Sequence, residues 1–263
     1  MLRTGGSLVA GWQVQGRNIR ALILRDMVVR FGRDNIGFVW VILEPMLLTA
    51  GVMLIWSLLG SEKNGIKIIE IALTGYMPLT LWRHLSNNVI NLFRNSSSLL
   101  YHSHITLFDI VASRQVLEFI GTTTALIVVW GTLNLMGMVA NIERLDLFIL
   151  GWLMMAWIGI AVGTAVAALT EVSETAERFI QPLQYLNIPI SGAFFFVDWL
   201  PPWGQHLILY HPLVHCYEVF RAGYFGPAMI THYDLIYFAS CAFFVTFVGV
   251  VAVHRVRSRV KLN

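Results

Sequence analysis

The chain has 263 residues, of which 57% are hydrophobic and 13% charged, with a mean hydropathy of +0.67 and a formal net charge of +3. This composition excludes a solvated, charge-rich globule and points to one polytopic domain whose solvent is mostly lipid. The basic excess gathers beside apolar runs, where anionic headgroups meet it, so nucleic acid is not an expected partner; the two cysteines, Cys216 and Cys241, are too few for a disulfide framework.

In chain order, the first element is basic. Arg3, Arg17, Arg20, Arg25, Arg30 and Arg33, against the two acids Asp26 and Asp34, precede the first apolar run. Leu24, Met27, Val28 and Phe31 recur at the spacing of one helical face, which predicts an amphipathic helix over 17–33 lying in the membrane interface. Phe38 to Leu59 follows, with Glu44 as its only charge. Such a helix rises roughly 33 Å, enough to cross a hydrocarbon core of about 30 Å. The run starts too late and continues too long for a cleaved leader, so 38–59 is read as span one.

Span two covers 66–91, with Lys67 and Glu70 at its outer end and a polar inner half of Arg83, His84, Asn87, Asn88 and Asn91. The chain turns polar over 94–109, the expected cytoplasmic connection, before span three at 112–139, which opens with Arg114 and Glu118 one helical turn apart. Span four, 147–169, carries no charge, and its Gly159, Gly163 and Ala167 let another helix approach closely. Span five, 179–197, contains Pro182 and Pro189, so it should face protein or a watery path. The segment 198–232 is aromatic and apolar, which predicts short helices in the outer interface, one of them started by Pro212. Span six is 235–253.

Six spans place both termini on one side. Thirteen of the 18 cations then fall inside and four, Lys63, Lys67, Arg144 and Arg221, outside, with Arg83 at membrane depth. The asymmetry supports cytoplasmic termini.

A phosphate-binding loop is missing: the nearest stretch, GSEKNGIK at 60–67, has its lysine one place late. No ATPase is expected on this chain. In HPLVH, at 211–215, Pro212 stands where a zinc-protease helix has its glutamate, so no metal site is expected either.

The basic arm ending RFGRDNIGFVWVILEP, the polar connection after span two and the late segment HPLVHCYEVFRAGYFG stand in an order that resembles the transmembrane subunit of ABC-2 type polysaccharide exporters, most closely the capsule-export permeases. His211 departs from the asparagine usual there. The resemblance implies two copies of the chain forming a channel, two separate ATPase subunits that hold the ATP and magnesium, and no cofactor on this chain. It also implies a lipid-linked, acidic polysaccharide as cargo, and periplasmic and outer-membrane export proteins as partners. Permeases for O-antigen or teichoic acid are the alternative, and a secondary transporter, which normally carries internal repeats, a more distant one.

The residues supply candidates for each role. Aromatic rings beside polar groups suit sugar faces, so Trp40, Tyr76, Trp82, Phe93 and Tyr185 are candidates for the path, against the alternative of interface anchors. Arg83 is expensive in lipid and should face a cavity or a partner; with His84, Arg25, Arg30 and Arg33 it could form a cationic entrance. Pairing with Glu44 is its structural alternative. Leu100, Tyr101, His102, His104 and Leu107 are expected to couple to the ATPase, and Trp199, Trp203, Tyr210, Tyr217, Glu218 and Arg221 to form a periplasmic gate. Glu218 and Arg221, three residues apart, could instead simply pair within their helix.

Overall fold

The computed structural model describes residues 7–31, 36–58, 62–63, 65–96 and 105–260. Helix α1 (Ser7–Phe31) precedes α2 (Ile36–Leu58), and a two-residue antiparallel ladder of β1 (Glu62–Lys63) and β2 (Ile66–Lys67) leads into α3 (Ile68–Asn87). One helical turn, α4 (Leu92–Asn95), comes before α5 (Leu107–Leu135), α6 (Leu145–Val172) and α7 (Glu174–Asn187). Two short helices, α8 (Pro202–Ile208) and α9 (Pro212–Phe225), then separate α7 from α10 (Leu235–Val260). The fold is all-α apart from the ladder. Among the described residues, three helices are long and apolar enough to cross a membrane: Leu107–Leu135, Leu145–Val172 and Leu235–Arg257.

The centre of the bundle is α3, packed against α2, α5, α6 and α9. That explains how a helix with so many polar residues is accommodated, because protein rather than lipid surrounds it. Thr74, Thr80 and Ser86 return their hydroxyls to the carbonyls of Glu70, Tyr76 and Trp82, one turn back. At its start, buried Glu70 accepts the Ala140 amide at 2.8 Å, tying α3 to the loop between α5 and α6.

The small residues of α6 serve the close approach that their spacing predicts. A Cβ at Gly163 would lie 2.2 Å from the Leu85 carbonyl of α3, and one at Gly159 would meet the Leu85 side chain. Further along, Gly151 of α6 and Gly223 of α9 bring those two backbones together.

Several expected boundaries move, each for a local reason. The helix expected over 17–33 starts already at Ser7, and its buried face is a different one: Leu22 enters the core beside Leu107, Ile110 and Val111, while Leu24 and Val28 stay exposed. The expected span at 112–139 is displaced toward the N-terminus, because Thr106 and Asp109 form a reciprocal capping box that starts α5 at Leu107.

The largest departure is at 179–197. The helix there begins earlier, capped by the Ser173 hydroxyl, and stops at Asn187. Ile188 keeps helical angles, but Pro189 after it supplies no amide hydrogen to continue the ladder. Fourteen residues rise about 21 Å, short of a hydrocarbon core, so the rest of this expected span is irregular backbone.

Candidate functional site

Tyr76, Thr80, Arg83, His84 and Asn87 fall on one side of α3 at helical spacing, and with Asn88 they face Glu44 and Leu48 of α2. The cleft between these walls has a volume of about 140 Å³. Arg83 reaches over the ring of Tyr185 in α7, its guanidinium carbon 5.7 Å from the ring centre. Among the described residues Arg83 has no carboxylate within 4 Å, so the pairing with Glu44 considered above is not formed. Arg83 thus stands in the cleft above an aromatic face, with Glu44 on the opposite wall but beyond ion-pair distance.

Behind the cleft runs a chain of charges. His84 Nδ1 lies 3.1 Å from Oε2 of Glu118, whose side chain is only 2% exposed. Arg114 lies 3.7 Å from Glu118 and 3.6 Å from Asp26, and Asp26 in turn lies 3.8 Å from Arg25. Three helices, α1, α5 and α3, are thereby joined, and Arg25 belongs to this chain rather than to the cleft wall. Glu118 was visible in the sequence only as one end of an i, i+4 pair with Arg114. Its contact with His84 spans 34 positions, which no local pattern reveals.

The other path candidates separate. Tyr76, Arg83, His84 and Tyr185 come together, whereas Trp82 and Phe93 are buried in two hydrophobic clusters and do not line this cleft. The side chains of Arg30 and Trp40, and all of Arg33, lie outside the described residues. So do Leu100, Tyr101, His102 and His104 of the coupling group. Leu107, the remaining member, is 4% exposed in the core cluster of α1 and α5, which places it under the surface and not on a docking face. Before the undescribed part of that connection, the chain is fastened: the Asn91 amide donates to Thr170 Oγ1 at 3.3 Å and its side chain to Glu177.

The expected outer gate also divides. Trp203 and Tyr210 are about three-quarters exposed, and Trp199 packs on Phe196. Tyr217, Glu218 and Arg221, in contrast, are among the most enclosed residues of the protein. Arg221 donates to the carbonyls of Gly192 at 2.8 Å, Ala193 at 2.8 Å and Phe195 at 2.6 Å, and its guanidinium carbon stands 4.2 Å from the Phe196 ring centre. Glu218 accepts the His232 amide at 2.8 Å. Glu218 and Arg221 attract each other within their helix, and each also satisfies backbone that left the helical pattern. Sequence reasoning missed this role, although two prolines followed by an arginine within an apolar, aromatic stretch are a signal for it.

Of the three histidines at 206, 211 and 215, two have hydrogen-bond partners that a metal would displace. His211 Nε2 lies 2.6 Å from Asn187 Oδ1, and His215 bridges the Leu209 carbonyl and the Asp234 amide. A cavity of about 450 Å³ opens beside them, lined by His206, Tyr210, His215, His232, Tyr233, Asp234 and Tyr237 among others.

Long apolar helices wrapped around a buried polar one, with a cationic cleft along it, define an all-α membrane protein of the transport type. The chain belongs to the ABC-2 type transporter family, whose pattern matches residues 17–225. It is 35% identical over 243 residues, 92% of each chain, to the capsule polysaccharide export inner-membrane protein CtrC of Neisseria meningitidis serogroup B. It is 34% identical over 220 residues, 83% of each chain, to the corresponding protein BexB of Haemophilus influenzae. The polysialic acid transport protein KpsM of Escherichia coli is 23% identical over 262 residues, 97% of this chain and 98% of its own.

Proposed function

We propose that this chain is the channel-forming membrane subunit of an ATP-driven exporter that carries lipid-linked, acidic capsular polysaccharide across the bacterial inner membrane. The observation that carries the reading is the similarity to capsule polysaccharide export proteins over more than four-fifths of the chain. In this reading α2, α3, α5, α6, the helix-plus-turn segment from α7 onward and α10 supply six crossings, with both termini in the cytoplasm. Two copies enclose the path, two separate ATPase chains bind the inner face with their ATP and magnesium, and periplasmic and outer-membrane proteins take the polymer onward.

Arg83 is the cation of the inner part of that path, with Tyr76, Tyr185 and His84 beside it. A planar guanidinium holds a carboxylate or phosphate through paired hydrogen bonds, which suits acidic sugars or a lipid phosphate. Residues 97–104 transmit the ATPase stroke. Support for that role comes from their position between the turn fastened at Asn91 and the capped start of α5. The test is reconstitution: the chain should copurify with its ATPase and move an acidic capsule polymer into vesicles only when ATP is hydrolysed. Movement without the ATPase would overturn the reading.

A further inference from the structure

Glu118 is a carboxylate buried to 2% exposure at the level of the cleft, and its two oxygens have different partners: Oε2 meets His84 and Oε1 meets Arg114. An ionised carboxylate can only accept, so His84 carries its hydrogen on Nδ1. Nε2 is left with no partner among the described residues, on a side chain that lines the cleft. Arg83 stands at the other edge of the same helical face, likewise without a carboxylate within 4 Å among the described residues.

We propose that Glu118 is a positioning residue, and that the His84 ring it holds joins Arg83 in one oxyanion site, made for a sugar carboxylate or a phosphate of the exported glycolipid. The proposal rests on the reading of Arg83 as a path residue. The cleft volume of about 140 Å³ is the space of four or five waters, enough for one carboxylate or phosphate with part of its hydration. Its charged surroundings agree. From α3 come Arg83 and His84; from α5, Glu118 paired with Arg114; from α2, Glu44 on the opposite wall, which repels an anion and so favours a bound one only against Arg83 and His84. Carrying a hydrogen on each nitrogen, the ring can donate to Glu118 from Nδ1 and to the oxyanion from Nε2. Removing Glu118 would release the ring and weaken its donor without touching the ligand.

The full transporter, with its ATPase, in lipid nanodiscs allows a direct test. Binding would be measured for an oligoglucuronate, for its carboxyl-reduced neutral counterpart, and for lysophosphatidate. His84→Gln and Glu118→Gln should each weaken an acidic ligand roughly tenfold, the loss expected for one charge-assisted hydrogen bond. The neutral oligosaccharide should be unaffected. The double variant should lose no more than either single one, because both act on the same bond. His84→Lys, which needs no positioning, should restore acidic binding and should be insensitive to Glu118→Gln. Loss confined to the oligoglucuronate names the polymer carboxylate as ligand, and loss confined to lysophosphatidate names the lipid phosphate. Unchanged affinity of Glu118→Gln for both acids overturns the proposal, as does an equal loss for the neutral sugar, which would mark a structural role. Failure of the Arg83 reading is distinguishable: Arg83→Gln would then leave acidic binding intact while His84→Gln lowered it.

Discussion

The guanidinium of Arg221 in α9 and the carbonyl of Ala193 lie 2.8 Å apart, across 28 positions of sequence, and this contact closes the gap where the chain stops being a helix after Asn187. Gly75 of α3 makes room for it, since a Cβ there would stand 2.1 Å from the same carbonyl oxygen. Three carbonyls depend on one side chain. Arg221→Ala should cost at least about 3 kcal/mol, the sum of several buried acceptors left without donors, and Arg221→Lys should recover only part of it because one ammonium cannot reproduce the planar fork. Thermal unfolding in detergent, with helicity followed by circular dichroism, would read the difference; a neutral Arg221→Ala would refute the clamp.

Glycines that admit neighbouring helices should separate sharply from those that do not. Gly163→Ala forces a methyl to 2.2 Å from the Leu85 carbonyl, and overpacking of that kind costs typically about 1–3 kcal/mol. Gly131 sits in α5 with nothing within 4 Å of its would-be Cβ, and there alanine should be neutral or gain about 0.5–1 kcal/mol from helix propensity. The same unfolding measurement compares the pair, and equal effects would contradict the packing described for α3 and α6.

A pH effect is expected where the segment between α9 and α10 folds back. His215 donates from Nε2 to the Leu209 carbonyl at 2.8 Å and accepts the Asp234 amide on Nδ1 at 2.9 Å, which requires the neutral ring. Burial lowers its pKa below the ordinary histidine value. A group whose folded value is depressed binds fewer protons when folded, so its contribution is present above an unfolded value of about 6.5 and fades as the pH falls below it. Hydrogen exchange at Asp234 and its neighbours should therefore accelerate between pH 7 and pH 5 beyond the intrinsic trend, and His215→Gln should flatten that response. An identical pH response in both proteins would remove the latch.

Export should depend on Arg83 in a cargo-specific way. Arg83→Gln is expected to slow an acidic polymer about tenfold or more, the scale of one lost charge-assisted contact, and to spare a neutral polymer carried by the same complex. Transport into vesicles, corrected for the amount of assembled ATPase, gives both rates. Equal rates for the two polymers at the unmodified level would return Arg83 to a structural role.

The connection between α3 and α5 offers a contrast between neighbours. Leu100→Asp and Tyr101→Asp should leave folding intact but abolish ATPase assembly or uncouple hydrolysis. Leu107→Asp buries a carboxylate in the cluster of Leu22, Ile110 and Val111 and should instead destabilise the chain. Size-exclusion profiles and copurified ATPase distinguish the two outcomes.

Much of the helical plan was legible because apolar runs and small-residue spacing are local properties: α5, α6 and α10 follow from them, and Gly159 and Gly163 do meet α3. One face of the cleft was legible too, since Tyr76, Thr80, Arg83 and Asn87 repeat at helical spacing along a single helix. What escaped depends on contacts between distant positions. The Phe93 ring resembles a path residue until the turn at Asn91 carries it into the core. Arg221 resembles a gate charge until the break after Asn187 leaves three carbonyls for it to serve. The start of α9 at Pro212 was legible, but composition cannot tell an aromatic helix at a surface from one enclosed by its own protein, so its burial was not.

That enclosure constrains how the protein is made. Every residue from Leu213 to Phe225 is buried, and at 14 residues, about 21 Å, α9 is too short to be released into lipid as a crossing of its own. Alone in the bilayer, Arg221 would cost about 2.5–3.5 kcal/mol on insertion scales. The insertion machinery must therefore shelter this helix until a slot exists for it. Both walls of the slot, α3 and α6, leave the ribosome earlier, and Gly151 and Gly223 let α9 seat against α6 once it arrives. A chain ending before residue 212 would leave that slot unfilled, with Gly75 and Gly151 uncovered where Arg221 and Phe220 now lie.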